Sequence, residues 1–319
     1  MERKGILITG ASSLVGSKTV ELLENQFDFH GLGTKEQPSF PGFEHLTTYQ
    51  RCDLTDTKAL ERTIDDTPHN TILHIAAFTN VDEAEIQRPL GHESDVWQIN
   101  VKSSLEVAKL AQKYNKRVIF ASTSYVFDGR RGPYSESDET NNPNIGLMSF
   151  YGVTKLEAER VIKDNCDSYT FIRFEMPFRS DFSPKLDFAR RILQLYGENK
   201  ITQMFADQTI SPILIDDLAN AIGLIVKSDL NGAFHVGSSN ITTPHEFACD
   251  LIKRYYQQKP LIIPSSYAST PIPEGKAPRP LKGGVLMSNI IRLGFKPRST
   301  QEMIEDFYNQ QKSLGLIGN

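Results

Sequence analysis

Cysteine is scarce: three thiols, Cys52, Cys166 and Cys249, are scattered through 319 residues without metal-ligand spacing. So sparse and odd a count argues against a disulfide framework and for reduced thiols, so a cytoplasmic location without a metal site is expected. Charge of one sign is lacking as well. Thirty-five Lys and Arg stand against 39 Asp and Glu, a net charge of −4, so no global basic surface recommends nucleic acid as a partner. Long apolar runs are also missing. Nothing approaches the roughly 20 residues that span a bilayer, so no membrane partner is expected, and Ala219 to Val226 reads as a buried helix. The apolar run in MERKGILITG is too short for a secretory signal and leads straight into a motif. Neither a repeat nor a low-complexity tract is present. What remains is ordinary, with 39% hydrophobic and 23% charged residues. The length permits one large α/β unit or two joined domains with a core that needs no staples.

Short apolar runs alternate with helical patterns through the first half. GILITG precedes a helix from about Ser17 to Asn25; FDFHGLG and CDLTD precede one near Thr57 to Asp65. TILHIAA, a helix through Asn100 to Tyr114, and RVIFAST follow. Such alternation predicts a doubly wound parallel sheet of the Rossmann type, covered by helices on both faces.

ILITGASSLVG places a strand, a glycine turn and a helix start within the first 16 residues. A turn of this kind aims backbone N–H groups and a helix N-terminus at a pyrophosphate. Gly10 makes the tight turn and Gly16 lets the helix pack closely. Ser13 stands where a middle glycine is expected; its hydroxyl is small enough to donate to a phosphate oxygen. Alone, a glycine motif with one member missing is weak. The second strand ends without an acidic residue before Glu36, and Lys35 suits the extra phosphate of NADP(H), with NAD(H) left open; a solvated loop charge is the rival reading. Asp53 and Leu54 are placed to border the adenine.

The rhythm changes after Met176, where Pro177, Pro184, Pro212, Pro244, Pro260 and Pro264 interrupt the pattern and Pro271, Pro273, Pro278 and Pro280 crowd one stretch. A dinucleotide-binding domain over 1–176 and a smaller substrate domain over 177–319 are expected. The chain returns to the sheet at about 213–237, with AFHVGS as a late strand.

YGVTK sets Tyr151 and Lys155 four residues apart on one helical face. A tyrosine near its ordinary pKa of about 10 exchanges protons poorly at neutral pH. A neighbouring ammonium lowers that pKa and makes the pair an acid/base for carbonyl reduction or alcohol oxidation. Spacing alone proves little, because Tyr196/Lys200 and Tyr255/Lys259 repeat it. Context separates them: only Tyr151 follows RVIFAST by one loop. That strand ends in Ser122, Thr123 and Ser124, and strand carboxyl ends face the ligand crevice. Thr123 is thereby a candidate to hold a reacting carbonyl oxygen.

These segments give the chain a resemblance to the extended short-chain dehydrogenases/reductases, and within them to the dTDP-4-dehydrorhamnose reductase family. It covers nearly the whole chain: ILITGASSLVG, HIAAFTNVDEAE, Asn100, FASTSYVFDG, PYSESD, YGVTKLEAE, FIRF, FADQTISPI, DDLANAI, GAFHVGSSNITTPHEFA and PRPLKGG. The resemblance implies hydride transfer from NAD(P)H to C4 of a nucleotide-linked 4-keto-6-deoxy sugar. Tyr151 would give the proton, Lys155 would lower its pKa and bind the nicotinamide ribose, and Thr123 would hold the keto oxygen. The cofactor would follow Gly10, Ser12, Ser13, Leu14, Val15 and Gly16, then Lys35, Asp53 and Leu54. It would continue past Ala76, Ala77, Phe78 and Asn100 to Tyr151, Lys155 and Pro177. Thr79, Val81, Ser124, Tyr125 and Met176 would face substrate, and Lys282, Gly283 and Gly284 a substrate phosphate. A homodimer is an open alternative to a monomer.

Several residues depart from that pattern. Ser13 replaces a glycine, Ser124 an aspartate and Met176 a tryptophan, and the loop NPNIGLMSF is longer. Dehydration lacks its carboxyl pair, because Ser124 and Tyr125 follow Thr123. A nucleotide-sugar epimerase remains open. So does a non-catalytic NAD(P)-binding subunit, since the regulatory β subunit of methionine adenosyltransferase resembles the same family and shares YVFDG. Other features have plain readings. His74 and His235 fit a core, Asp216 and Asp217 fit helix caps, and Asp82, Glu83 and Glu85 fit a solvated helix face.

Overall fold

The computed structural model describes residues 3–36, 40, 42–140, 145–181 and 185–317. Pro184 and the start of the 142–150 loop lie outside the described residues. The first half contains β1 (Lys4–Thr9), α1 (Leu14–Leu23), β2 (Phe27–Gly33), β3 (Thr48–Arg51), α2 (Thr57–Asp66) and β4 (Thr71–His74). It continues with α3 (Val81–Ile86), α4 (Asp95–Trp97), α5 (Ser103–Lys113), β5 (Arg117–Thr123), α6 (Phe150–Asn165) and β6 (Tyr169–Phe178). The second half holds α7 (Phe188–Gly197), β7 (Gln203–Phe205), β8 (Pro212–Leu214), α8 (Ile215–Ser228) and β9 (Gly232–His235). Then come α9 (Pro244–Tyr256), β10 (Ile263–Ser265), α10 (Ser288–Arg292) and α11 (Thr300–Ser313).

One parallel sheet runs β3-β2-β1-β4-β5-β6-β8, and β9 also pairs with β6. β4 and β5 are buried along their whole length, as strands covered on both faces are. In β1, Ile6 and Ile8 join one apolar cluster and Leu7 the other, because successive side chains point to opposite faces. Helices α1 and α8 cover the first face; α2, α5 and α6 cover the second. The strand order reverses between β1 and β4, and such a switch point opens a crevice at the carboxyl ends.

The expected domain boundary at residue 176 falls inside β6. The strand does not end there but bulges: Glu175 pairs with Pro212 and Pro177 with Ile213, so Met176 is passed over with φ +45°. β8 and β9 bring the chain back to the sheet after α7 and β7. Off the sheet, β7 and β10 form a two-stranded ribbon.

Local chemistry moves three element boundaries. Helix α1 starts at Leu14, ahead of the expected Ser17, because the Ser13 hydroxyl accepts from the Gly16 amide at 3.0 Å and caps it. The third strand is Thr48–Arg51, and Cys52 to Thr55 turn away, with Asp53 Oδ1 accepting from the Thr55 amide at 2.9 Å. The helix through Asn100 opens with a π turn over Gln98–Lys102 before α5. Asp216 and Asp217 lie in the first turn of α8 but make no cap hydrogen bond. Asp217 instead pairs with Arg298 at 2.9 Å, and Asp216 accepts from Gln310 at 3.1 Å.

Candidate active site

The crevice at the switch point is a cleft of about 630 Å³. Its floor comes from strand ends and the turns after them: Thr9 and Gly10, Leu32 to Thr34, Cys52 to Thr55, and Ala76 with Ala77. Gly10 has φ +70°, and a Cβ on it would come 2.7 Å from the Ala76 amide. A Cβ on Gly16 would stand 2.2 Å from the Gly10 carbonyl oxygen. Both positions require glycine, for a left-handed turn and for close helix approach respectively. Ser13 accepts from Gly16 and so presents its own proton to other acceptors.

His74 braces the floor from below. Nδ1 bonds the Thr9 hydroxyl at 2.7 Å and Nε2 the Ser104 hydroxyl at 3.1 Å. Burial, with the Lys155 charge nearby, holds its pKa down at about 3, so the ring is neutral. At the far end of the cleft, the Tyr49 hydroxyl donates to the Lys35 carbonyl at 3.1 Å. Arg51, a cation the sequence reading missed, pairs there with Glu36, both side chains exposed.

Strand β5 delivers Thr123 to its carboxyl end, and Ser149 caps α6 so that Tyr151 sits in its first turn. Thr123 is buried, and its Oγ1 accepts from the Tyr125 amide at 3.2 Å. The Tyr151 ring meets the Tyr125 ring edge-on at 6.2 Å. Lys155, one helical turn on, is 1% exposed; its Nζ donates to the Ala121 carbonyl at 2.7 Å and lies 3.8 Å over the Phe120 ring.

Electrostatics here differ from the simple expectation for a Tyr/Lys pair. Burial pushes the Tyr151 phenol well above its ordinary range; Tyr125 adds to this and the Thr123 hydroxyl partly offsets it. Tyr125 is itself pushed up to about 12 by burial. Burial pulls Lys155 down to about 7, with Glu159 holding it up. With its amine engaged by Ala121, Lys155 does not outweigh the desolvation of Tyr151.

Contacts distant in sequence hold this geometry. Asn100 is buried in the π turn; its Oδ1 accepts from the Phe78 amide at 2.8 Å and its Nδ2 donates to the Thr154 hydroxyl at 3.0 Å. Glu85 accepts from the Phe150 amide at 2.8 Å and pairs with Arg88, whose guanidinium also reaches the Met148 carbonyl. Asp82 binds Arg279 Nη2 at 2.8 Å, Lys276 Nζ at 3.0 Å and the Ala277 amide at 3.2 Å. The acidic run on α3 thus clamps two loops instead of facing only solvent.

Of the expected cofactor residues, Gly10, Ser12, Ser13, Asp53, Leu54, Ala76 and Ala77 line the cleft. Val15 and Gly16 are buried in α1, and Lys35 is exposed past the cleft's end. Phe78, Trp97 and Tyr151 pack against a buried cluster of Ala84, Val96 and Phe150. Asp95, Gln98, Ile99 and Ser103 form a far wall that the sequence reading missed. Among the expected substrate residues, Ser124 and Tyr125 are buried, Thr79 is exposed and accepts from Lys185 at 3.1 Å, and Val81 opens α3. Met176 sits at the bulge, and Lys282 Nζ donates to the Asp207 carbonyl at 3.2 Å. Tyr196 and Tyr255 lie on α7 and α9, away from the crevice.

Comparison with known proteins gives the family and the fold. Residues 3–313 match the family described as RmlD substrate binding domain. The chain is 27% identical over 252 residues to a probable low-salt glycan biosynthesis reductase, Agl14, of Haloferax volcanii, covering 77% of this chain and 79% of that one. It is 29% identical over 303 residues to the methionine adenosyltransferase 2 subunit beta of Xenopus tropicalis, covering 92% and 83%. A crystal structure of dTDP-4-dehydrorhamnose reductase from Bacillus anthracis in complex with NADP superposes with a TM-score of 0.79 at 25% identity, covering 97% of this chain and 100% of that chain.

Proposed function

Because the chain belongs to the RmlD substrate binding domain family, with the fold of the extended short-chain dehydrogenases/reductases, we propose that it is an NADPH-dependent reductase of a nucleotide-linked 4-keto-6-deoxy sugar. The observation that carries the reading is the convergence of Thr123, at the carboxyl end of β5, with Tyr151 and Lys155 of α6, on the sheet whose switch point holds the glycine-turned cleft. The cradle fits a dinucleotide: the Gly10 turn and the N-terminus of α1 aim amides at a pyrophosphate, and Lys35 with Arg51 offers cations at the adenosine end for an extra phosphate. When bound, the nicotinamide supplies hydride to the carbonyl carbon.

The protein's own groups manage the oxygen and the proton. Thr123 steadies the carbonyl oxygen as negative charge develops. Tyr151, its pKa raised by burial, holds its proton throughout the neutral range, which is the form a proton donor needs. Lys155 supplies positive charge that grows as pH falls through about 7 and stabilises the phenolate left behind. The apolar cluster of Ala84, Val96 and Phe150, against which Tyr151 packs, keeps water from competing for the proton.

The test is consumption of NADPH and NADH by the purified protein with a panel of nucleotide-linked 4-keto-6-deoxy sugars. We expect turnover of one member, faster with NADPH than with NADH. Tight NADPH binding with no turnover across the panel would sink the reductase reading. It would favour the non-catalytic binding subunit that the likeness to methionine adenosyltransferase 2 subunit beta keeps open. Gly16→Ala offers a second check, because its methyl would stand against backbone and not against a flexible side chain. We expect NADPH affinity, followed by fluorescence titration, to fall at least tenfold, about 1.4 kcal/mol; unchanged affinity would place the dinucleotide elsewhere.

A further inference from the structure

Glu175 is a carboxyl that the chemistry above does not use. It sits in β6 immediately before the Met176 bulge and is 4% exposed. Burial pushes its pKa up, and hydrogen bonds from Ser124, Ser211 and Gly284 offset this in part. Its partners are hydrogen-bond donors from two separate segments. The Ser124 hydroxyl donates to Oε2. The Ser211 amide donates to Oε1 at 2.6 Å and the Ser211 hydroxyl at 3.2 Å, and the Gly284 amide also bonds the carboxyl. Ser211 Oγ in turn accepts from the Val285 amide at 3.1 Å.

A buried carboxylate without a cation is costly and persists where donors saturate it or a proton neutralises it. A glutamine at 175 would fill the same space without a charge to bury, but with one acceptor oxygen in place of two. What the carboxylate alone does is accept from both sides at once. On one side is Ser124, covalently next to Thr123 and to Tyr125, whose ring meets Tyr151. On the other is the strip Lys282–Val285, tied to the first side of the crevice by the Gly132 amide on Lys282 and the Tyr134 amide on Gly284, both at 3.0 Å. The bulge makes this reach possible, since the left-handed φ of Met176, strained for a non-glycine residue, accompanies the register shift between Glu175 and Pro177.

We propose that Glu175 is a positioning residue: it holds the Thr123–Tyr125 turn and the 282–285 strip in one frame, so that the catalytic hydroxyls and the substrate-side wall are set together. The functional part of this rests on the reductase reading. It acts through Ser124, and the dinucleotide cleft, built from other strand ends, is independent of it.

The experiment compares wild type, Glu175→Gln, Ser124→Ala and the double variant by hydrogen–deuterium exchange, NADPH titration and, with the panel sugar that is reduced, steady-state kinetics. Expected for Glu175→Gln are at least tenfold faster exchange in both 120–127 and 281–286, NADPH affinity within twofold of wild type, and kcat at least tenfold lower with unchanged KM for NADPH. The double variant should be no slower than Glu175→Gln alone. Wild-type exchange in either segment would overturn the proposal, as would losses that multiply in the double variant or NADPH binding lost in parallel. Should Glu175→Gln not fold, Glu175→Asp, which keeps the charge on a shorter arm, replaces it with the same criteria. If no sugar is reduced even by wild type, the reductase reading fails, and the exchange of the two segments still decides whether Glu175 joins them.

Discussion

Replacing Tyr151 by Phe should lower turnover by roughly 10²–10⁴-fold, the contribution of a positioned proton donor, while NADPH affinity stays within about twofold. The substitution removes one hydroxyl and little else. The ring keeps its edge-on contact with Tyr125 and its place against the cluster of Ala84, Val96 and Phe150, so neither the start of α6 nor the cleft has reason to move. What is lost is the acid. Burial keeps that acid protonated, and Tyr125, two residues beyond Thr123, meets the Tyr151 ring edge-on and does not stand in its place. Lys155 is no substitute either, because its ammonium is committed to the Ala121 carbonyl. Steady-state rates beside a fluorescence titration check both halves. Full activity in the variant would remove Tyr151 from the chemistry, and a parallel loss of NADPH binding would make its role structural.

The sheet was legible because its strands are short apolar runs with clean borders. β5 is buried at every residue, and Arg117–Thr123 reads as strand from composition alone. The glycine turn was legible for a steric reason, since Gly10 and Gly16 stand where a Cβ collides with backbone. Tyr151 and Lys155 could be picked out from two decoys only by their position after β5, which is a topological argument and not one of spacing.

What could not be read are contacts between segments far apart in the chain. The far wall of the cleft comes from Asp95 to Ser103, whose polar and apolar residues show no period that points them at a ligand. Asp82 and Glu85 look like a solvated acidic helix until the loops at 276–279 and 148–150 fold against them. Glu175 carries no local signal at all, because a charged residue in a strand is expected to face solvent and its donors lie 51 and 36 residues away. The sense of the Tyr151 shift was also hidden. Four-residue spacing identifies a partner, but burial decides the sign, and burial belongs to the tertiary structure.

Glu159→Ala should destabilise the protein by about 3–5 kcal/mol, the usual result of stripping one partner from a buried ion pair. Its carboxylate, two turns along α6 from Tyr151, accepts from Arg173 Nε at 2.9 Å and Nη2 at 2.6 Å and from the Ser122 hydroxyl at 2.5 Å. The two side chains of the pair are 4% and 6% exposed, so water cannot replace the lost contacts. Among the described residues, Arg173 would keep the His235 ring, at 3.4 Å, and the Phe127 face. His235 is neutral, its pKa held at about 3 by burial, and brings no charge. At about 2.1 cal/mol/K of unfolding entropy per residue, the midpoint should drop by roughly 4–8 °C, which calorimetry reads directly. Glu159→Leu with Arg173→Met should recover much of that loss, because two apolar groups leave no orphaned charge. The recovered protein would still lack the one carboxylate that holds Lys155 up. Its lysine would then surrender its proton below about 7, and the activity it supports would fade at lower pH than in the wild type. A stable double variant with an unshifted pH profile would mean that Glu159 serves the fold alone; a shifted profile makes the same residue part of the machinery that sets the charge beside Tyr151.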